Sequence, residues 1–509
     1  MCCSLGASGI AWAADPAVTV PTILAAYGRA THAADVATIE TVGTIEGEGL
    51  TGDFHSWRAR ENERDDERLG ARVEITLRIG DRLFLRDQSG NVRELTGYLK
   101  RRALTGDFVD SGAFLKAPDR STFLGYGTIG ATRAWRLAVR AVGGEPETLW
   151  IDPASGLPLR MEYLDGDGPS TVDFSDWRTV DGRLFPFRTL TSDGDHAFDI
   201  VEQTTSITLD RPIAPDTFAP LRNRTIVASG VQTVPLLESD QHVACNVVVD
   251  GVPATFLIDT GAQSVLLDTR LEKKARIAGE GSLEVRGATR TGGLSVITIP
   301  HLSIGTASLD DLVATAIDLG SSTSGNVHLD GILGFPFFAS ALVELDFAHH
   351  TMRFGVPGSF VPRGEKIDLD LDRGIVEAKA RLNGSLVAPF IIDTGDSSEL
   401  LLYRNFVTAH PGIVPLSGTR SFTYGIGGST PTDITSLDEL TLGKISLYHV
   451  TATEILADKG AFADRIDAGN IGLGVLRNFI VTFDLANGAM YLEKNDAFND
   501  GRARAATPS

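Results

Sequence analysis

The sequence carries one short motif twice, as Phe256-Leu-Ile-Asp259-Thr260-Gly261 and as Phe390-Ile-Ile-Asp393-Thr394-Gly395. The apolar residues before each aspartate predict a buried strand. Each copy also ends a predicted hairpin, because Asp250-Gly251 and Asn383-Gly384 are pairs in which both turn residues can adopt positive φ. Two buried strands are therefore predicted to bring two acidic side chains into equivalent loops.

The similarity between the two halves continues downstream of these motifs. Three further pairs of segments match: Leu302-Ser-Ile-Gly305 with Leu440-Thr-Leu-Gly443, Asp330-Gly-Ile-Leu-Gly334 with Asn470-Ile-Gly-Leu-Gly474, and the predicted strands Val343–Phe347 with Val481–Leu485. Asp259 and Asp393 are 134 positions apart, and the later pairs are 138 or 140 positions apart. A nearly constant offset indicates a duplicated domain with small insertions and deletions.

This pattern resembles the retropepsin-like and pepsin-like aspartic peptidases over about residues 225–495. The resemblance implies a mainly β fold in which two tandem acid-protease-like β-barrel lobes, residues 225–356 and 364–495, form a pseudo-dimer within one chain. It also implies that Ile332-Leu333-Gly334 threads behind the first aspartate loop, with Gly472-Leu473-Gly474 as its counterpart.

The same resemblance implies that Asp259 and Asp393 are the catalytic pair. Two carboxyls at close range cannot both ionise, so one holds a proton and the other is charged. The charged one takes a proton from a water that attacks the peptide carbonyl, and the neutral one donates to the carbonyl oxygen. The sequence does not decide which aspartate is protonated. The implied supporting residues are Thr260, Gly261, Thr394, Gly395 and Asp396, with the two threonines bonded across the lobe interface.

Two glycine-rich segments are predicted to form the flap hairpins of such a peptidase. The candidates are Gly292 and Gly293 in the first lobe, and Tyr424, Gly427 and Gly428 in the second.

Asp396 departs from the family pattern, because relatives carry a small residue at this position, as Ala262 does in the first copy. Its carboxylate could face the dyad and shift the activity optimum toward neutral pH. It could instead turn outward and accept hydrogen bonds from the backbone near Ser397 and Ser398. We expect the outward orientation, because it avoids repulsion between like charges.

Residues 16–220 are predicted to be a separate unit. A short helix is expected from Pro21 to His32, with proline at its start. Hairpins with glycine-containing turns follow, at Val73–Arg86, Thr148–Glu162 and Asp176–Arg188. The mixed-charge run Arg58–Arg72 is predicted to be a solvated loop or hairpin face.

This unit resembles the lipoprotein-carrier-like sheet proteins of the bacterial periplasm. The resemblance implies a curved antiparallel sheet over helices around an apolar cavity, with lipid or lipoprotein as a partner. The alternative is a plain antiparallel sheet that packs on the two lobes. If it is only a partner domain, a fragment of about residues 222–495 is expected to fold alone.

Composition limits the partners and the compartment. The formal net charge of −20, without a basic stripe, argues against nucleic acid. The sequence contains no run of about 18 apolar residues, so no integral membrane segment is predicted. Residues 1–14 resemble a truncated signal peptide, which predicts a periplasmic or secreted protein, and residues 496–509 are predicted to be a tail.

No cofactor or metal is predicted, because the ten histidines show no ligand spacing. Cys245 lies in an apolar strand and is predicted to act as a small hydrophobe. The sequence therefore predicts an aspartic endopeptidase with a polypeptide substrate. The alternative is a catalytically weak envelope protein that binds peptide or lipid.

Overall fold

The computed structural model describes residues 18–32, 36–166, 168–239, 241–286, 291–320, 323–324, 327–415, 418–425, 428–457 and 460–501. The predicted leader and the end of the predicted tail, residues 502–509, lie outside these ranges. The protein is mainly β, with an N-terminal antiparallel sheet and helices followed by two barrel lobes, as predicted. None of the described helices is both long and apolar enough to cross a membrane.

The N-terminal unit is a succession of hairpins with two helices. Its elements are α1 (Val20–Thr31), β1 (Thr38–Gly47), β2 (Leu50–Ala59), β3 (Asn62–Leu69), β4 (Arg72–Ile79), β5 (Arg82–Arg86), β6 (Val92–Leu95), α2 (Tyr98–Asp110), 3-10 turns at Ala113–Lys116 and Pro118–Arg120, β7 (Ser121–Ile129), β8 (Thr132–Val139), β9 (Glu147–Ile151), β10 (Pro158–Asp165), β11 (Gly168–Val180), β12 (Arg183–Ser192), a 3-10 turn at His196–Phe198, β13 (Ile200–Leu209) and a 3-10 turn at Pro215–Phe218.

Within the described ranges these strands form one sheet in the order β6-β5-β4-β3-β2-β1-β13-β12-β11-β10-β9-β8-β7. The predicted first helix is present as α1. Thr19 caps it, proline lies in its first turn, and Ile23, Leu24 and Tyr27 are buried. These residues pack in one apolar cluster with Phe114 and the inner faces of β8 and β9.

The sequence did not predict α2, and its N-terminus explains why. Gly97 precedes the helix and offers no side-chain cap. The buried carboxylate of Asp372, which belongs to the second lobe, accepts hydrogen bonds from the amides of Thr96, Gly97 and Lys100 at 2.6, 2.9 and 3.2 Å. The helix cap therefore comes from a residue about 275 positions away.

The run Arg58–Arg72 lies in hairpins, which was one of the two predicted alternatives, but most of its residues are half-buried rather than fully solvated. Most of the run is strand, and its charges pair with one another and with α2. Arg58 binds Glu63 at 2.6 Å, and Arg78 binds both Glu63 and Asp107. The run lacks apolar alternation, and Arg58 and Arg78 meet α2 through ion pairs with Asp110 and Asp107.

The remainder of the chain forms two similar lobes. The first contains β14 (Gln232–Pro235), β15 (Leu237–Glu238), β16 (Val243–Val249), β17 (Val252–Ile258), β18 (Leu266–Asp268), α3 (Thr269–Ala275), β19 (Gly279–Arg286), β20 (Thr291–Ile304), β21 (Ala307–Ile317), β22 (Thr323–Ser324), β23 (Val327–His328), β24 (Gly331–Leu333), α4 (Phe335–Ser340), β25 (Leu342–Asp346) and β26 (Thr351–Gly355).

The second lobe contains β27 (Glu365–Asp370), β28 (Glu377–Leu382), β29 (Leu386–Ile392), β30 (Leu400–Tyr403), α5 (Arg404–Ala409), β31 (Thr419–Gly425), β32 (Gly428–Leu442), β33 (Ile445–Ile455), a 3-10 turn at Ala461–Ala463, β34 (Gly469–Ile471), α6 (Leu473–Leu476), β35 (Phe479–Asp484), a 3-10 turn at Leu485–Asn487 and β36 (Ala489–Lys494).

Each lobe closes on itself as a barrel. In the first lobe the order β16-β17-β24-β18-β21-β20 is closed by pairing of β16 with β20. In the second, the order β28-β29-β34-β30-β33-β32 is closed by β28 and β32. The strands β25 and β35, which hold equivalent places in the two lobes, pair antiparallel with each other, with Val343 opposite Phe483. The lobes are thus related by an approximate twofold axis and share one continuous core.

The sequence match of Gly334 with Gly474 is wrong by two residues. Asp259 N donates to Leu333 O, and Asp393 N donates to Ile471 O. Gly334 and Gly472 follow these carbonyls and begin α4 and α6. The counterpart of Ile332-Leu333-Gly334 is therefore Asn470-Ile471-Gly472, and the true offset is 138, the value found for the other later pairs. Residues 472–474 read Gly-Leu-Gly, so Gly474 resembles the end of the first motif although Gly472 is the true counterpart of Gly334.

The N-terminal sheet also packs directly on the first lobe. Ile45, Leu50, Phe54 and Leu69 share a buried apolar cluster with eight residues of that lobe, which we call the interdomain cluster: Ala244, Leu257, Leu294, Val296, Ile317, Leu319, Leu329 and Ile332. Ala262, three residues after Asp259, is partly buried against it. The N-terminal unit therefore contributes to the packing behind the first aspartate loop.

Candidate active site

Asp259 and Asp393 follow the buried strands β17 and β29, each of which pairs in parallel with the strand that threads behind its loop. Leu257 lies opposite Ile332 in the first lobe, and Ile391 lies opposite Asn470 in the second. The backbone bonds to Leu333 and Ile471 then fix where each aspartate leaves its strand. The same local construction, used twice, brings the two predicted catalytic carboxyls together.

The two threonines bind each other's loop across the lobe interface. Thr260 N donates to Thr394 Oγ1 at 3.0 Å, and Thr394 N donates to Thr260 Oγ1 at 3.1 Å. The Thr260 hydroxyl donates to Ile392 O at 2.5 Å, and the Thr394 hydroxyl donates to Ile258 O at 2.9 Å. Both threonines are fully buried, so these reciprocal bonds fix the separation of the loops.

Gly261 and Gly395 allow the loops to approach. Each amide donates to Oδ1 of its own aspartate, at 2.9 Å for Gly261 and 2.8 Å for Gly395. A Cβ on Gly261 would lie 2.7 Å from Asp393 Cγ, and one on Gly395 would lie 2.5 Å from Asp259 Cγ. A larger residue at either position would therefore push the carboxyls apart.

The pKa values of Asp259 and Asp393 are set by their limited contact with solvent and by their closeness to each other. Burial raises the pKa of Asp259 and of Asp393, and repulsion between the two carboxylates further raises the pKa of whichever ionises second. The arrangement can hold one acid and one base at the same time.

Asp396 has the outward orientation that we expected. Its Oδ1 accepts from Ser398 N at 2.8 Å, and its Oδ2 accepts from the Ser398 hydroxyl at 2.9 Å. It is not a freely solvated group, however. Burial, followed by the charge of Asp393, raises the pKa of Asp396 to about 7. Asp396 is therefore neutral over most of the acidic range.

The site contains two residues that the sequence did not single out. Asn470 Nδ2 donates to Asp393 Oδ2 at 2.7 Å, and Tyr403 Oη donates to Asn470 Oδ1 at 2.6 Å. Asn470 was overlooked because the shifted match aligned it with Asp330 rather than with Ile332. A polar residue at an otherwise apolar position would have been the signal.

The flap candidates lie in two equivalent hairpins. Gly292 and Gly293 are in β20 and lie opposite Val285 and Glu284 of β19. In the second lobe, Tyr424 lies opposite Ser429, and Gly428 lies opposite Gly425. Gly427 lies outside the described residues. Movement of these hairpins over the aspartates stays a prediction.

Cys245 and the possible metal-binding side chains were the other polar groups considered from the sequence. Cys245 is buried in β16, and burial raises the pKa of its thiol to about 12, as suits a small core residue. Among the described residues, no group of three or more His, Cys, Asp or Glu side chains is arranged to hold a metal ion.

Comparison with known families agrees with this geometry. The aspartyl protease family model matches the chain twice, at residues 245–337 and 378–474. The predicted resemblance to the aspartic peptidases is confirmed. The matched segments begin in β16 and β28 and include both aspartate loops and both segments that thread behind them. No curated protein matches the chain.

Solved structures of both predicted kinds match the chain at low identity. An aspartic proteinase from Irpex lacteus is 13% identical, and the match covers 52% of this chain and 98% of that chain with a TM-score of 0.34. A LolA superfamily protein from Nitrosomonas europaea is 17% identical, with coverage of 40% and 99% and a TM-score of 0.29. A putative outer membrane lipoprotein-sorting protein domain from Vibrio parahaemolyticus is 11% identical, with coverage of 38% and 95% and a TM-score of 0.28.

Proposed function

We propose that this protein is an aspartic endopeptidase that hydrolyses peptide bonds with a water activated between Asp259 and Asp393. The observation that carries the proposal is the pair of partly buried carboxyls on two equivalent loops, which the Thr260–Thr394 bonds hold in register. Glycine at 261 and at 395 leaves room for the opposite carboxyl, which supports a closely spaced pair. The family match at both loops supports the same reading.

The mechanism follows from the shared proton. The ionised carboxyl takes a proton from water, and the resulting hydroxide attacks the carbonyl carbon of the peptide. The protonated carboxyl donates to the carbonyl oxygen, so that negative charge does not accumulate there. On collapse, the first carboxyl gives its proton to the leaving nitrogen and the second recovers one from a hydroxyl of the tetrahedral intermediate. The dyad ends as it began.

The test is cleavage of an unfolded polypeptide by the purified full chain between pH 3 and 7, with products identified by mass spectrometry. We expect internal cleavage at bonds flanked by apolar residues, with inhibition by a statine-type transition-state analogue. A chelator is the matched control and should leave the rate unchanged. Cleavage that resists the statine compound but stops with the chelator would assign the activity to another enzyme class.

A periplasmic or secreted location is part of the proposal. It rests on the leader-like residues 1–14 and on a polypeptide substrate that must be reached in an unfolded or extended form. Fractionation of cells that produce the full chain, followed by immunodetection, tests the location.

A second candidate function is lipid binding by the N-terminal unit. It is favoured by a solvent-open cavity of about 500 Å³ beside α1, which is lined mostly by apolar groups, including Leu24, Ala25 and Leu115, together with Arg29 and His32. Titration with a fluorescent fatty acid tests it, with Ala25→Trp as the variant that fills the cavity. Equal binding by the variant and the wild-type protein would remove this candidate.

A further inference from the structure

The two lobes differ at one contact of the catalytic pair. A chain of hydrogen bonds runs from the buried Tyr403 through the buried Asn470 to the partly buried Asp393, with bonds of 2.6 and 2.7 Å. Tyr403 and Asn470 are only 1% and 3% exposed. Bonds of this kind in a dry environment hold their partners in one arrangement.

The first lobe has different residues at the same places. Ile332 occupies the position of Asn470 and packs in the interdomain cluster. Asp268 occupies the position of Tyr403 and caps α3 by accepting from Arg270 N at 2.8 Å. Because Gly261 and Gly395 make equivalent bonds to their aspartates, the Asn470 bond distinguishes Asp393 from Asp259.

The chemistry of the Asn470 bond determines which protonation state of Asp393 it favours. With the Tyr403 hydroxyl donating to Asn470 Oδ1, the amide nitrogen faces Asp393 Oδ2 and can only donate. A donor directed at a carboxyl oxygen stabilises the ionised form over the acid. Repulsion between the two aspartates acts on whichever ionises second and therefore does not select between them.

We infer that Asn470, held by Tyr403, keeps Asp393 as the ionised member of the dyad and leaves the proton on Asp259. The inference rests on the proposed function. In that reaction Asp393 takes the proton from water and later gives it to the leaving nitrogen. Asp259 donates to the carbonyl oxygen and recovers a proton from the intermediate. Asn470 and Tyr403 are positioning residues, because they act through Asp393.

Other charged groups face this chain and enter its titration. Asp396 lies beside Asp393 on the same loop and is neutral below about pH 7. Asp464 and Arg373 lie near Tyr403, and their opposite charges shift the pKa of its phenol in opposite directions. Arg373 and Asp464 are themselves ion-paired at 2.5 Å. Asn470 is the uncharged hydrogen-bond donor among these groups, and its own charge does not change with pH.

Esterification by an aryl epoxypropyl ether tests the inference without requiring turnover. An ionised carboxylate attacks the terminal epoxide carbon, the ring C–O bond breaks, and the neighbouring acid supplies the proton to the new alkoxide. Peptide mapping by mass spectrometry then identifies the esterified aspartate. We expect Asp393 to be modified in the wild-type protein between pH 4 and 6. In Asn470→Leu, the preference should fall about tenfold or more.

The pH dependence of kcat/KM gives a second readout. Loss of the donor makes ionisation of the dyad harder, so the acidic limb of the profile should move up by about one pH unit in Asn470→Leu. Tyr403→Phe should move it in the same direction by a smaller amount, because the amide then loses its orientation. Asn478→Ala is the matched control. It removes side-chain bonds with Gly474 O, Val475 O and Asn499 N elsewhere in the second lobe and should leave the limb in place.

The outcomes separate the inference from the proposed function. Modification of Asp259 rather than Asp393 in a protein that cleaves peptides would overturn the inference alone. An unchanged preference and acidic limb in both Asn470→Leu and Tyr403→Phe would do the same. If the wild-type protein neither cleaves peptides nor reacts at either aspartate, the proposed function fails and the inference fails with it.

Discussion

Thr260 and Thr394 each donate a backbone amide to the other's hydroxyl oxygen, at 3.0 and 3.1 Å, across the interface between the two lobes. Thr260→Val should destabilise the protein by about 2–5 kcal/mol, because it leaves Thr394 N and Ile392 O buried without partners. Urea unfolding measures the loss. Thr260→Ser keeps the hydroxyl and is the matched control, so equal losses in the two variants would contradict the role given to these bonds.

The cap that Asp372 provides for α2 gives a second prediction. Asp372→Ala should cost about 1–2 kcal/mol and should expose the first turn of α2 to faster hydrogen exchange, although the substitution lies in the other domain. Asp368→Ala, at an exposed carboxyl nearby in sequence, is the control. Unchanged exchange at Thr96, Gly97 and Lys100 would show that the cap contributes little.

The interdomain cluster changes the expectation for an isolated peptidase fragment. Removing the N-terminal unit uncovers the apolar residues that pack against Ile45, Leu50, Phe54 and Leu69. We therefore predict that a fragment of residues 222–501 is poorly soluble alone and is rescued by co-expression with residues 18–221. Size-exclusion chromatography and urea unfolding measure this. A monomeric fragment as stable as the full chain would contradict this prediction and support the expectation from the sequence that the two lobes fold alone.

The stability of the protein should fall as pH rises from about 5 to 8. Burial raises the pKa of Asp65 to about 7, and those of Glu67 and Glu147 to about 8. In this window the unfolded state has lost these protons while the folded state retains them, so unfolding becomes easier with increasing pH. Thermal or urea unfolding across the range measures the slope.

Glu67→Gln should flatten that slope, because an amide does not titrate. Glu61→Gln is the matched control, at an exposed position in the turn before β3. A stability that rises between pH 5 and 8 would contradict the assignment of these groups as neutral in the folded protein.

The sequence predicted the parts of this protein that repeat. The hairpins, the two aspartate loops and the closing strands all follow from local patterns that occur twice, and the threonine and glycine contacts follow from family resemblance. It failed where a residue serves a distant element. In the sequence Asp372 looks like an ordinary acidic residue of a turn, yet its carboxylate caps the N-terminus of α2 in another domain.

Two further features were not predicted from the sequence, and in both cases the reason lies in the local sequence. The strand β3, Asn62–Leu69, is almost entirely polar, so no alternation marks its buried face. At Asn470, a polar side chain replaces an apolar one, and the Gly-Leu-Gly sequence beside it supplied a false match. Residues that differ between the two copies carry no repeat signal, so the duplication alone does not reveal them.

The central claim is that Asp259 and Asp393 act as one catalytic unit, and the most direct test compares Asp259→Asn, Asp393→Asn and the double variant. We predict that each single substitution lowers kcat/KM by at least about a thousandfold and that the double variant is no worse than either, because half of a shared-proton dyad does nothing alone. Asp250→Asn is the control, since asparagine also tolerates the positive φ of that turn. Retention of more than a few per cent of the activity in either single variant would contradict the claim.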